Sequence, residues 1–224
     1  MNTAFFDLDG TLTNPKPGIT RSIQYALRQL GFSAPAEDDL VWCIGPPLHA
    51  SFKTFVGTDE LADRAIELYR ERFSDIGLYE NEAYAGIDET LSKVAATGRR
   101  MFIATSKPKI YADRIIDHFG LRRHFAHVFG SELDGARSDK VDLLAYALAE
   151  TKADPARAIM VGDRGHDMIG ARKNGMTAIG VLYGYGSREE LTKAGAHHLC
   201  ATHPEVVPHC SVAVDAIRRR HSAP

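Results

Sequence analysis

A short apolar run, Ala4-Phe5-Phe6, breaks off at Asp7-Leu8-Asp9-Gly10-Thr11. Such a run closed by turn residues predicts a buried strand. From about Thr13 to Glu82 the period changes. Ile19, Ile23, Leu27 and Leu30 recur at helical spacing, and Leu61, Ala65, Leu68 and Phe73 repeat the pattern, which predicts an all-helical insertion without a strand. Pro15, Pro17 and Gly18 punctuate its entry, and Ala85-Gly86 its return. Beyond Gly86, short apolar runs alternate with helical faces. The runs are Met101-Phe102-Ile103-Ala104, Val128-Phe129, Ala158-Ile159-Met160-Val161 and Ala178-Ile179-Gly180-Val181-Leu182. Between them lie faces such as Ile87, Leu91 and Val94, then Ala112, Ile115, Ile116 and Phe119, then Val141, Leu144, Ala145 and Leu148. Strands alternating with helices predict an α/β fold whose parallel sheet is covered on both faces.

On this reading Asp7 ends the first strand, Thr105-Ser106 the second and Gly162-Asp163 the fourth. In an open parallel sheet the ligand crevice lies outside the carboxyl ends of the strands, so these distant residues converge. Asp7 and Asp9 make the crevice expensive. Like charges roughly 4 Å apart repel by about 4 kcal/mol at an effective dielectric of about 20, and a metal ion or a catalytic task is the usual reason to keep them together.

Composition narrows the partner. With 44% hydrophobic and 25% charged residues in 224, the chain reads as a globular protein rather than a disordered or membrane-spanning one. Lys and Arg number 27 against 29 Asp and Glu, so there is no global basic field for nucleic acid or an anionic membrane. A small soluble partner is expected, with the protein acting as a monomer or dimer. Cys43, Cys200 and Cys210 form no close pair, and no signal-peptide pattern opens the chain, which together predict a cytoplasmic location.

Four motifs then resemble those of the haloacid dehalogenase-like phosphohydrolases, in the family's order. Asp7-Leu8-Asp9-Gly10-Thr11 is similar to the first, Thr105 within Phe102-Ile103-Ala104-Thr105-Ser106-Lys107-Pro108 to the second, Lys140 to the third, and Gly162-Asp163-Arg164-Gly165-His166-Asp167 to the fourth. The resemblance covers nearly the whole chain and is nearest to phosphoglycolate-phosphatase-like and 5′-nucleotidase-like members with a helical cap. It implies a Rossmann-like core over 1–13 and 84–224, with an all-helical cap over 14–83 inserted after the first strand.

The resemblance also implies roles. Asp7 is the nucleophile that forms an aspartyl-phosphate, and Asp9 the general acid and then base. Alternate residues of an extended strand share a face, so both reach one substrate. Thr105 offers its hydroxyl and Ser106 its backbone N–H to a phosphate oxygen, with Lys107 and Arg164 as further phosphate contacts and Gly10 and Thr11 beside the substrate. Mg²⁺ is held by the Asp7 carboxylate, the Asp9 carbonyl and Asp163, with Asp167 ligating or orienting a water. Lys140 balances these charges. The family often writes this third motif as Lys-Pro or Arg-x-x-Lys-Pro, whereas here it is Arg137-Ser138-Asp139-Lys140-Val141, with Arg137 as the fallback cation.

Ile44-Gly45-Pro46-Pro47-Leu48-His49 corresponds to the cap loop that faces substrate, with Gly45 and Pro46 in contact. It lacks the Arg that some sugar-phosphate relatives carry, leaving Arg21, Lys53 or nothing to read a second anionic group. The expected function is a Mg²⁺-dependent phosphomonoesterase acting on a small phosphorylated metabolite. A phosphomutase on the same core and a non-catalytic regulatory module are the alternatives. A dehalogenase is disfavoured because Asp9 is present, and a phosphonatase would need Lys16 or Lys53 as a Schiff base. The His197, His198, Cys200, His203 and His209 cluster has no four-ligand zinc spacing and is read as the surroundings of a last strand. Gly184-Tyr185-Gly186 is read as a turn beside the active site, and Arg218-Arg219-Arg220 as a solvated tail.

Overall fold

The computed structural model describes residues 2–211. The Arg218-Arg219-Arg220 run lies outside them. Strand β1 (Thr3–Phe6) is buried throughout and sends alternate side chains to two cores, Ala4 and Phe6 to one and Phe5 to the other. The chain then enters a two-residue antiparallel ribbon of β2 (Thr13–Asn14) and β3 (Glu82–Ala83), pairing Thr13 with Ala83 and Asn14 with Glu82. The helical insert hangs from this ribbon as α1 (Lys16–Gln29), α2 (Leu48–Val56) and α3 (Asp59–Arg72). A 3₁₀ turn at Asp38–Cys43 and a π turn at Phe73–Gly77 complete it. A strand at either neck was not expected, because two residues carry no readable period. A Cβ on Gly18 would lie 1.9 Å from the Gly77 carbonyl oxygen, so α1 and the π turn cross backbone to backbone at glycine.

The rest of the chain alternates as anticipated: α4 (Ile87–Ala96), β4 (Arg100–Pro108), α5 (Lys109–His118), β5 (His127–Ser131), α6 (Lys140–Thr151), β6 (Ala158–Gly162), α7 (Gly165–Lys173), β7 (Thr177–Val181), α8 (Arg188–Lys193), β8 (His198–Cys200) and α9 (Val206–Cys210). The six long-range strands form one parallel sheet in the order β5-β4-β1-β6-β7-β8. The expected α/β, Rossmann-like fold is borne out. Residues of α4 and α5 pack on Phe6, Ile103 and Val161, while α6, α7 and α8 cover Phe5, Phe102 and Met160. Phe5 and Phe102 stack at 5.4 Å on the second face.

Topology fixes where the site must be. The chain runs outward from β1 through β4 and β5, then returns to place β6 on the other side of β1. This reversal opens a crevice at the carboxyl end of β1, where Asp7 begins. Strand β4 extends past Thr105-Ser106 to Pro108, with a register irregularity against β5 between Thr105 and Pro108. Gly130 permits it, since a Cβ there would fall 2.8 Å from the Lys107 carbonyl oxygen.

Candidate active site

Asp7 still belongs to the sheet by its backbone, donating its N–H to the Val161 carbonyl at 2.9 Å. Leu8 turns into the core, so Asp7 and Asp9 point the same way and both line one cavity. Lys140 meets Asp7 from the far side of the sheet. It is the first residue of α6, whose start is capped by Asp139 accepting from the N–H groups of Val141 and Asp142. Its Nζ lies 2.7 Å from Asp167 and 3.1 Å from Asp7, and donates to the Ala104 carbonyl at 2.9 Å. Gly170 lets α7 pass over the lysine stem, since a Cβ there would sit 2.9 Å from Lys140 Cγ.

Asp167 occupies the first turn of α7 and accepts from the Arg164 N–H at 3.1 Å, where the helix dipole favours negative charge. Asp163 is fully buried between the Thr11 hydroxyl, which donates to it at 3.3 Å, and the Tyr185 N–H at 2.8 Å. Backbone crowds this carboxylate. A Cβ on Gly10 would come within 2.1 Å of Asp163 Oδ2, and one on Gly184 within 2.3 Å of its Cβ. Gly10 also holds φ +77°, a conformation glycine adopts without strain.

The charges do not balance. Asp7, Asp9, Asp163 and Asp167 are all buried, against two buried ammonium groups, Lys107 and Lys140. Lys107 pairs with Asp9 at 2.9 Å and lies 4.7 Å from the centre of the Phe73 ring. Lys140 sits nearer Asp167 than Asp7, and the acidities follow. Burial pushes Asp167 up, but Lys140 and then His166 outweigh it and hold the group below the usual range. Asp7 is pushed up to about 6, chiefly by burial; Lys140 counters, and Asp167 and Asp9 add to the rise. Burial, then Asp167 and Asp7, drive Asp163 well above its ordinary value. Burial, the largest influence, holds the His166 imidazole below its ordinary range. Two formal negative charges are therefore left over, which suits one divalent cation. The donors are hard carboxylate oxygens of the kind Mg²⁺ prefers, and Asp9 Oδ1 is buried without a hydrogen-bond partner. One ligand atom each from Asp7, His166 and Asp167 lie within 4.8 Å of one another, a grouping in which His166 was not foreseen.

Several expectations change place. Gly10 and Thr11, expected beside the substrate, face Asp163 instead, because the turn after Asp9 folds back over that carboxylate. Arg137 turns away as well, pairing with Glu132 and lying over the Tyr146 ring at 4.7 Å. Arg164 ties Glu190 to the insert by donating to the Ile44 carbonyl. Arg21 is occupied by Glu37 and Glu80, Lys53 by Asp59 and Lys16 by Asp38, so none of the three faces the cavity. Gly184-Tyr185-Gly186 does border the site, through the Tyr185 N–H on Asp163.

The cavity, about 660 Å³, opens between the sheet edge and the insert. Asp7, Asp9, Thr105, Ser106 and Lys107 line its floor, and Gly45 and Pro46 face them from the insert. The Thr105 hydroxyl accepts from the Lys107 N–H at 3.3 Å. Tyr69, Arg70 and Phe73, at the end of α3 and just past it, also line the cavity. They read as ordinary helix positions in the sequence, and only the fold of the insert brings them here.

The haloacid dehalogenase-like hydrolase family model matches residues 4–181. The chain belongs to the haloacid dehalogenase-like hydrolases. Among relatives of this hydrolase, a 5′-nucleotidase of Pseudomonas aeruginosa is 46% identical over 197 residues, covering 88% of this chain and 89% of that protein. The tyrosine-protein kinase PtkA of Mycobacterium tuberculosis is 40% identical over 188 residues; the match covers 84% of this chain and only 64% of that protein. The crystal structure of a predicted phosphatase from Clostridium acetobutylicum superposes with a TM-score of 0.90 at 40% identity, covering 93% of this chain and 97% of the other. The expected assignment to phosphoric monoester hydrolases is borne out at this level. Among the described residues no helix is long and apolar enough to cross a membrane.

Proposed function

We propose that this hydrolase is a Mg²⁺-dependent phosphomonoesterase working through an aspartyl-phosphate on Asp7. One observation carries the reading: four buried carboxylates and two buried ammonium groups gather at one end of a cavity, Asp7, Asp9 and Lys107 lining its floor and Asp163, Asp167 and Lys140 buried behind it, two charges short of neutral. A lapsed binding module would gain nothing by keeping that repulsion.

In the first step an Asp7 carboxylate oxygen attacks phosphorus while the bond from phosphorus to the ester oxygen breaks; Asp9 gives its proton to the departing alkoxide. In the second, Asp9 takes a proton from water as the water oxygen attacks phosphorus. The bond to Asp7 breaks and inorganic phosphate leaves. Thr105, Ser106 and Lys107, which line the cavity beside Asp7, would hold the phosphate oxygens. Asp7, Asp163 and the Asp9 carbonyl would hold the cation, Asp167 standing behind them, and its charge would offset that of the phosphate. Lys140 keeps Asp7 and Asp167 in place from behind.

The substrate in this reading is a small phosphorylated metabolite, in line with the 5′-nucleotidase name of one relative. Three free, buried cysteines agree with the cytoplasm as its location. The test is phosphate release from a panel of phosphomonoesters with Mg²⁺ and with EDTA. The account expects release that needs Mg²⁺; transfer of phosphate onto product instead of water would favour a phosphomutase, and no turnover of any ester would refute the proposal.

A further inference from the structure

Away from Asp7 the cavity has a character of its own. Its volume of about 660 Å³ is far more than a two-carbon acid fills. Tyr69 and Phe73 stack with centroids 5.1 Å apart and planes 15° from parallel, and Tyr111 meets Phe73 edge-on at 5.4 Å. All three are buried and line the cavity. Phe52 supports Tyr69 from behind at 6.2 Å, so this aromatic wall is fixed by packing.

The far end is acidic. Asp63 and Glu67 on α3 and Asp134 beyond β5 line it with Arg70, whose guanidinium donates to the Leu133 carbonyl at 2.6 Å. Glu132 is matched by Arg137, Arg64 partly offsets Glu67 at 2.5 Å from outside, and His49, which also lines the cavity, brings its Nε2 to 3.4 Å from Asp63. Lys107 is the remaining lysine or arginine among the described residues lining the cavity, and Asp9 holds it. A leaving group therefore meets aromatic side chains first and a rim with more negative than positive charge beyond.

We propose that this pocket selects phosphomonoesters whose leaving group carries a planar ring and no second negative charge. The inference rests on the phosphomonoesterase reading and narrows it. A ring gains contact with Tyr69, Phe73 and Tyr111, whereas a second carboxylate must be brought toward Asp63, Glu67 and Asp134 with one guanidinium to meet it. Phosphoglycolate is then a poor substrate, despite its appeal from the motifs.

Four esters of ordinary alcohols separate the two effects: benzyl phosphate, 4-carboxybenzyl phosphate, glycerol 2-phosphate and 2-phosphoglycolate, each assayed with Mg²⁺ at low salt. The expected kcat/KM is about tenfold higher for benzyl phosphate than for glycerol 2-phosphate. The 4-carboxyl group should cost about fivefold, as expected for like charges roughly 8 Å apart in a wet cavity. The double substitution Asp63→Asn with Asp134→Asn should shrink that cost, and Tyr111→Leu should shrink the ring preference. A preference for 2-phosphoglycolate, or no cost for the carboxyl, overturns this inference alone. Release from none of the four, with release from other esters of the wider panel, also overturns this inference alone; release from no ester overturns the phosphomonoesterase reading along with it.

Discussion

Replacing Asp7 with asparagine should make the metal-free protein more stable while ending its turnover. Burial, the largest influence, lifts the Asp7 carboxyl from 3.8 to about 6. At 1.36 kcal/mol per pH unit, a rise of that size sets about 3 kcal/mol against the ionised folded state. The unfolded chain releases this proton near 3.8 and the folded one near 6, so the folded state binds more protons in between. Stability contributed by this group therefore falls as pH rises through that window, and the full cost is present above it. The amide of the Asp7→Asn variant would imitate the neutral form and escape the cost. Urea unfolding in EDTA should show the variant ahead by about 3 kcal/mol at about pH 8, a midpoint shift of roughly 1 M, with the gap closing toward about pH 4. Mg²⁺ should narrow the gap at the higher pH by stabilising the wild type. A variant no more stable than wild type at the higher pH, or an advantage that persists on acidification, would refute the reasoning.

Two further substitutions probe the same charges. Lys140→Met leaves Asp167 and Asp7 buried without their shared counter-charge, so we expect a loss of about 3–5 kcal/mol in urea unfolding at neutral pH, easing as the solution is acidified. Equal stability of variant and wild type would show that the lysine is not the partner these carboxylates depend on. Gly184→Ala would drive a Cβ to 2.3 Å from that of Asp163 and 2.4 Å from the Gly10 carbonyl oxygen, well inside contact. Calorimetric Mg²⁺ titration should show affinity down by about tenfold or more, the usual cost of disturbing a ligand's support, while circular dichroism stays native. Undiminished affinity would remove Asp163 from the cation site.

The elements that hold the site were legible because strand ends are marked by an abrupt change of chemistry. Ala4-Phe5-Phe6 before Asp7, and Ala158 to Val161 before Gly162-Asp163, place those carboxylates on the same sheet edge by topology alone. Three things were not legible, and each depends on contacts between parts far apart in sequence. Thr11 and Gly10 look like substrate residues in the motif, but 152 positions on, Asp163 claims the Thr11 hydroxyl. Lys107 reads as a phosphate contact and its alternation with Thr105 along β4 puts it on the inner face, but its pairing with Asp9 is not visible in the sequence. That strand alternation was an available signal. Arg164, adjacent to a ligand candidate, was read as a phosphate contact; its length lets it reach the insert instead, which no local pattern reveals.

The central claim is that Asp7 accepts the phosphoryl group, and trapping tests it most directly. Wild-type protein is mixed with Mg²⁺ and a turned-over ester, quenched in acid within the first turnover, digested and weighed by mass spectrometry. The account predicts one phosphoryl group on the peptide carrying Asp7, absent without ester and absent in Asp7→Asn. Phosphate on another residue, or none while phosphate release proceeds in a burst, would contradict it.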